Sequence, residues 1–224
     1  MDASPEEFPV THREPMVRRR VRIRFCKQGD LRWIGHRDLM RCLERTFRRA
    51  RLPLGFSEGF HPKPRMTFPA PLALGIEGLD EIMELELTEP LTDDELLARL
   101  GPYAPAGLAF RSAEVLPEGH KKARPCSVCY QMPVPPPHGD GLPQRIERLL
   151  DGTSGPMPRE GDRGPIDPRP LLAELTFRDG LFSMRLRISD RENVRPREVL
   201  AALELDGLEQ AGVYLTRTAV EIDS

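Results

Sequence analysis

Between Arg18 and Arg51 the apolar residues change their period, and the arginines follow both periods. Val21, Ile23 and Phe25 alternate with Arg22 and Arg24, which predicts a strand with one apolar and one guanidinium face. After a turn at Gln28-Gly29-Asp30, Leu39, Leu43 and Phe47 recur at helical spacing, helped by Met40, which predicts a helix over residues 36–50. Pro53 prevents it from continuing. Arg37, Arg41 and Arg45 keep the same spacing offset by two residues, roughly 200° around the axis. Such a chain must bury one side of a strand under one side of a helix and leave an arginine ladder outside.

The same reading extends downstream. A short strand at residues 65–68, an alternating strand at residues 82–87, a helix opened by Thr92-Asp93-Asp94-Glu95 and a strand at residues 107–115 complete a β-α-β-β-α-β order. The order then repeats: a strand at residues 127–134, a helix at 143–150, a hairpin around Asp179-Gly180, a helix at 196–205 stopped by Gly207, and a strand at 213–220. The expected fold is therefore α+β, with two tandem ferredoxin-like modules, residues 17–118 and 119–224, each with its own antiparallel sheet. Residues 1–16, polar with three prolines, are expected to be a disordered tail.

Several classes are set aside. No apolar run is long enough for a membrane span, and the acidic start is unlike a secretory signal, so a cytoplasmic location is expected. Cys126 and Cys129 form a lone C-x-x-C without a second pair, so no metal site is expected there, and both are read as packing residues of a strand. No phosphate loop, dinucleotide fingerprint or nucleophile elbow is present, and no cofactor is expected.

Charge is informative in its placement. Residues 18–51 hold thirteen bases against three acids, and residues 77–95 hold nine acids and no base. The two runs either neutralise each other or leave the first free for a polyanion, to which arginine's planar fork is suited. Glu84 and Glu86 are placed by alternation on the solvent side, and Trp33 is assigned to the core. The stretch Ser57-Glu58-Gly59-Phe60-His61-Pro62-Lys63-Pro64-Arg65 is either a rigid linker whose aromatics plug the core or a stiff basic loop carrying aromatics, the composition used to recognise unpaired RNA. The candidate RNA-binding set is Arg37, Arg41, Arg45, Arg48, Phe60, His61, Lys63 and Arg65, forming one continuous cationic surface. His36, at the first turn of the arginine helix with Asp38 beside it, is the candidate catalytic residue, and a capping turn is its plainer explanation.

The segments Gly29-Asp30-Leu31-Arg32-Trp33-Ile34-Gly35-His36-Arg37-Asp38-Leu39 and Phe56-Ser57-Glu58-Gly59-Phe60-His61-Pro62-Lys63-Pro64-Arg65-Met66 resemble the bacterial radical SAM-linked protein family, domain of unknown function 2344. The resemblance is strongest over residues 21–116. It implies a partner, a radical SAM enzyme, which is expected to be encoded separately, with this chain standing alone instead of fused behind it. Gly35 replaces a serine common in the family, so no hydroxyl role is carried over. A radical SAM cluster needs three closely spaced cysteines, which this chain lacks.

Three functions are expected in order: an RNA-binding accessory in tRNA or rRNA modification, a protein–protein adaptor for the radical SAM enzyme, and a metal-independent endoribonuclease using His36. Oligomeric state is left open.

Overall fold

The alternating arginine run forms β1 (Arg19–Lys27) in a computed structural model that describes residues 18–159, 161 and 164–223. The expected tail at residues 1–16 lies outside the described residues. β1 runs between β3 (Glu77–Leu87) and β4 (Leu108–Val115), antiparallel to both. The two-residue β2 (Met66–Thr67) pairs with the far edge of β3. The second half repeats these neighbours. β5 (Pro125–Pro133) lies between β7 (Leu181–Arg187) and β8 (Thr216–Ile222), and β6 (Leu172–Arg178) flanks β7.

The two halves do not keep separate sheets. β3 and β8 run parallel where Glu77-Gly78 meets Thr216-Arg217, giving one eight-stranded sheet in the order β4-β1-β3-β8-β5-β7-β6, with β2 on β3. The fold is α+β with a mostly antiparallel sheet, which corrects the expectation of two independent ones. The cause is the brevity of β2. Prolines at 62, 64, 69 and 71 limit its pairing, so the start of β3 has free backbone groups, and β8 satisfies them.

Four helices cover the strands: α1 (His36–Arg49), α2 (Asp93–Leu100), α3 (Leu142–Asp151) and α4 (Pro196–Ala202). Leu39, Leu43 and Phe47 of α1 and Leu96 and Leu100 of α2 bury against Val21, Ile23 and Phe25 of β1 and Met83 and Leu85 of β3. A second core gathers β5–β8, α3 and α4, and takes Ile76 and Ile82 from the first half across the junction. No helix among the described residues is long and apolar enough to cross a membrane.

Local chemistry explains the boundaries. Thr92 Oγ1 accepts from the Glu95 N–H at 3.2 Å, and Glu95 Oε2 accepts from the Thr92 N–H at 2.8 Å, so the expected capping box starts α2. Thr92→Ala is expected to cost about 1 kcal/mol, read as a lower urea midpoint with unchanged slope. Asp179 and Gly180 both have positive φ, 50° and 74°, the turn that joins β6 and β7 without splaying them. α4 ends at Ala202, earlier than expected, because Glu204 at φ 59° breaks the helix before Gly207.

Candidate nucleic-acid interface

The arginine face of β1 meets the acidic run on β3. Arg22 donates to Glu84 Oε1 through Nε at 3.2 Å and Nη2 at 3.0 Å, and the same oxygen accepts from the Ala123 N–H at 3.0 Å. Arg24 pairs with Asp80 at 2.5 Å and Arg32 with Glu77 at 3.6 Å. Glu84 is only 3% exposed. Its expected place on a solvated face is therefore corrected. β3 is an inner strand, and a carboxylate there is tolerated because cross-strand Arg22 and a backbone amide neutralise it. Two of the four arginines of β1, Arg22 and Arg24, are used up in this way.

The loop at residues 56–65 is a narrow hairpin. Ser57 N–H donates to Lys63 O at 2.8 Å, Lys63 N–H donates to Ser57 Oγ at 3.0 Å, and Arg65 N–H donates to Gly55 O at 2.8 Å. At its tip Gly59 adopts φ 116°, and Phe60 is completely exposed at 102%. Pro62 and Pro64 stiffen the returning limb. Lys63 and Arg65 on this limb, with Arg20 of β1 and Lys122 from the segment between β4 and β5, line a groove of 380 Å³ over Glu84, Leu85 and Glu86 of β3. Arg20 donates to His120 O at 2.8 Å. Arg65 Nε donates to Phe56 O at 3.0 Å and stands 3.7 Å from Glu86. Lys63 and Lys122 make no ion pair among the described residues. Arg20 and Lys122 were missed from the sequence. Lys122 comes to the groove from the irregular segment that leads into β5, and nothing in its local pattern signals this.

The candidate set is divided by the sheet. α1 packs on the Val21, Ile23, Phe25 side of β1, and strand alternation puts Arg20 and the groove on the other. On α1, Arg37 and Arg45 are exposed and without an ion pair among the described residues. Arg41 stands 3.4 Å from Asp38, and Arg48 stands 2.8 Å from Glu44. The Arg48 guanidinium also lies 5.9 Å from the Phe56 ring, so helix and hairpin meet at the hairpin's base. Lys63 and Arg65 face away from that contact, into the groove, and Phe60 and His61 project from the tip. One continuous cationic surface is thus replaced by two, joined around Phe56.

His36 is exposed, with its ring edge-on to Phe68 at 5.1 Å. It makes no hydrogen bond to another side chain among the described residues, so no second group orients it as a general base. Trp33, assigned to the core, is 50% exposed. It ends a 3₁₀ turn (Gly29–Trp33) that buries no residue, packs edge-on to Tyr214 at 5.4 Å and rests over Gly75. The Arg32 guanidinium lies 4.0 Å from the Tyr214 ring centre.

Cys126 and Cys129 are half-buried on β5. Burial pushes the Cys129 thiol pKa up, and the Glu221 carboxylate beside it adds to the shift. No group of three or more His, Cys, Asp or Glu residues among those described is placed to hold a metal ion.

Fold and groove together define an α+β protein with one long sheet, open on one side to a cation-lined cleft. Residues 20–196 match the family described as "Uncharacterized protein conserved in bacteria (DUF2344)", and the chain belongs to that family. A crystal structure described as an unknown protein from Galdieria sulphuraria is similar to it at 11% identity, over 93% of this chain and 100% of that one, with a TM-score of 0.29. No curated protein matches the sequence.

Proposed function

We propose that this protein is a cytoplasmic RNA-binding accessory of a radical SAM enzyme acting in tRNA or rRNA modification. The observation that carries the RNA part is the groove. Lys63 and Lys122 stand there without carboxylate partners among the described residues, beside a rigid hairpin that holds Phe60 fully in solvent. Exposing a phenylalanine so completely costs hydration free energy, and stacking on a base recovers it. Charge on one side and an aromatic on the other suit a phosphate and its neighbouring base. The radical SAM partner rests on the sequence resemblance. The two halves, each with its first strand between its third and fourth, are read as tandem ferredoxin-like units whose sheets have fused.

Salt tests the reading. Four groove cations on single-stranded phosphates release counterions with a slope near −0.7 each, so affinity falls about 50-fold between about 50 and 200 mM salt. Fluorescence anisotropy with labelled RNA measures this. Absence of binding at the lower salt, or a flat response, removes RNA from the function.

The adaptor reading has its own observation. Trp33, beside Tyr214, and Leu74 are each about half exposed, apolar groups of the kind that anchor protein interfaces. Co-purification of a radical SAM enzyme that survives nuclease and high salt but is lost with Trp33→Ala favours it.

A further inference from the structure

Glu86 is out of place in a groove that holds phosphate. Its side chain lines the cleft with Arg20, Lys63, Arg65 and Lys122 and is 28% exposed. Its neighbour Glu84 is neutralised by Arg22 and the Ala123 amide. Glu86 has no such support. Its Oε2 is closed to solvent, with no hydrogen-bond donor among the described residues and only the long ion pair to Arg65 Nε at 3.7 Å. The exposed part of the carboxylate is Oε1, which likewise accepts no hydrogen bond among the described residues. Arg65 spends its Nε on Phe56 O instead. A carboxylate so short of donors is costly, and Oε1, the oxygen open to the cleft, is the atom that a partner from outside can reach.

A phosphate cannot be that partner, because two anions repel. A donor edge can. On this side of the hairpin the groove offers cations for a phosphate and, between them, one acceptor for an N–H group. Nucleotides with an exocyclic amino group carry both. We infer that Glu86 reads the amino-bearing edge of an unpaired base while Lys63, Lys122 and Arg20 hold the adjoining phosphate, so the groove prefers cytosine, and amino bases generally, over uracil. Carboxylates accept from the cytosine N4 amino group. Uracil presents O4 at the same position, and its carbonyl dipole opposes Glu86. This inference rests on the RNA reading of the same groove.

The experiment compares hexacytidylate with hexauridylate, equal in charge and nearly equal in size, by anisotropy at about 50 mM salt on the full chain. The wild type is expected to bind the cytosine strand about 10-fold more tightly, the scale of one good side-chain contact to a base edge. Glu86→Gln keeps the shape, and its amide donates as well as accepts, so it is expected to bring the ratio to about one while leaving hexauridylate binding equal or tighter. An unchanged thermal melt of Glu86→Gln secures the comparison. Equal binding of the two strands by wild type, or a preference that survives Glu86→Gln, overturns the inference and leaves RNA binding intact. Failure of both strands to bind overturns the RNA reading and the inference with it.

Discussion

Glu81→Ala is expected to cost about 3–5 kcal/mol of folding stability, the largest loss from any single charged side chain on the sheet. Glu81 and Arg217 are 5% and 3% exposed and form the ion pair that ties β3 to β8. Arg217 Nε donates to Glu81 Oε1 at 2.8 Å, and Nη2 donates to Ala70 O at 2.6 Å as well as to Glu81. Lys27, also buried, donates Nζ to Ile34 O at 2.9 Å. Burial pushes the Lys27 pKa down, and the Glu81 carboxylate opposes that shift. Two cations therefore share one anion at the seam between the halves. Without it both are left desolvated, which is why the single substitution is expensive. Gly78 belongs to the same device, since a Cβ there would come within 2.6 Å of Glu81 Cγ. The double variant Glu81→Leu, Arg217→Met is expected to lose far less than the sum of its singles, because neither charge is orphaned by the other's removal. Urea midpoints of the four proteins measure the coupling. Additive losses would mean that the pair contributes nothing as a pair and that backbone pairing and apolar packing join the halves.

That seam is also where sequence reading reached its limit. β1 and α1 were legible because their periods are local: Val21, Ile23 and Phe25 declare a strand, and Leu39, Leu43 and Phe47 declare a helix, without reference to anything distant. The Thr92 capping box and the Asp179-Gly180 turn are legible for the same reason. Pairing of Glu77-Gly78 with Thr216-Arg217 leaves no such trace. Glu84 shows the consequence. Alternation assigned its face correctly, yet whether that face is wet depends on Arg22 and on the Ala123 backbone, both far along the chain. The candidate site suffered likewise. Lys63 and Arg65 were found through the proline-stiffened loop, but their companions Arg20 and Lys122 come together only when β1, β3 and the start of the second half are assembled. Trp33 was misplaced because large aromatics default to the interior, while a 3₁₀ turn at the edge of a core holds it out.

Lys63→Glu with Lys122→Glu is expected to weaken RNA binding on the order of 10²-fold at about 50 mM salt. Each lysine on a single-strand phosphate contributes a salt exponent near 0.7, and losing two of them forfeits roughly that much before any repulsion from the new carboxylates is counted. The matching reversal on the other face, Arg37→Glu with Arg45→Glu, changes the net charge by the same amount. It is expected to shift affinity by no more than about 3-fold, because α1 lies across the sheet from the groove and charges beyond about 14 Å are largely screened at that salt. Equal charge change with unequal effect separates a site from a general attraction to a basic protein. Phe60→Ala adds a third arm: about 10-fold weaker binding with an unchanged salt slope, since stacking releases no counterions. If the helix reversal abolishes binding and the groove reversal does not, RNA lies on the arginine ladder of α1. The groove and the role given to Glu86 then both fall. If the two reversals act equally, the strand wraps the base of the hairpin, where Arg48 meets Phe56 and the two cationic surfaces adjoin.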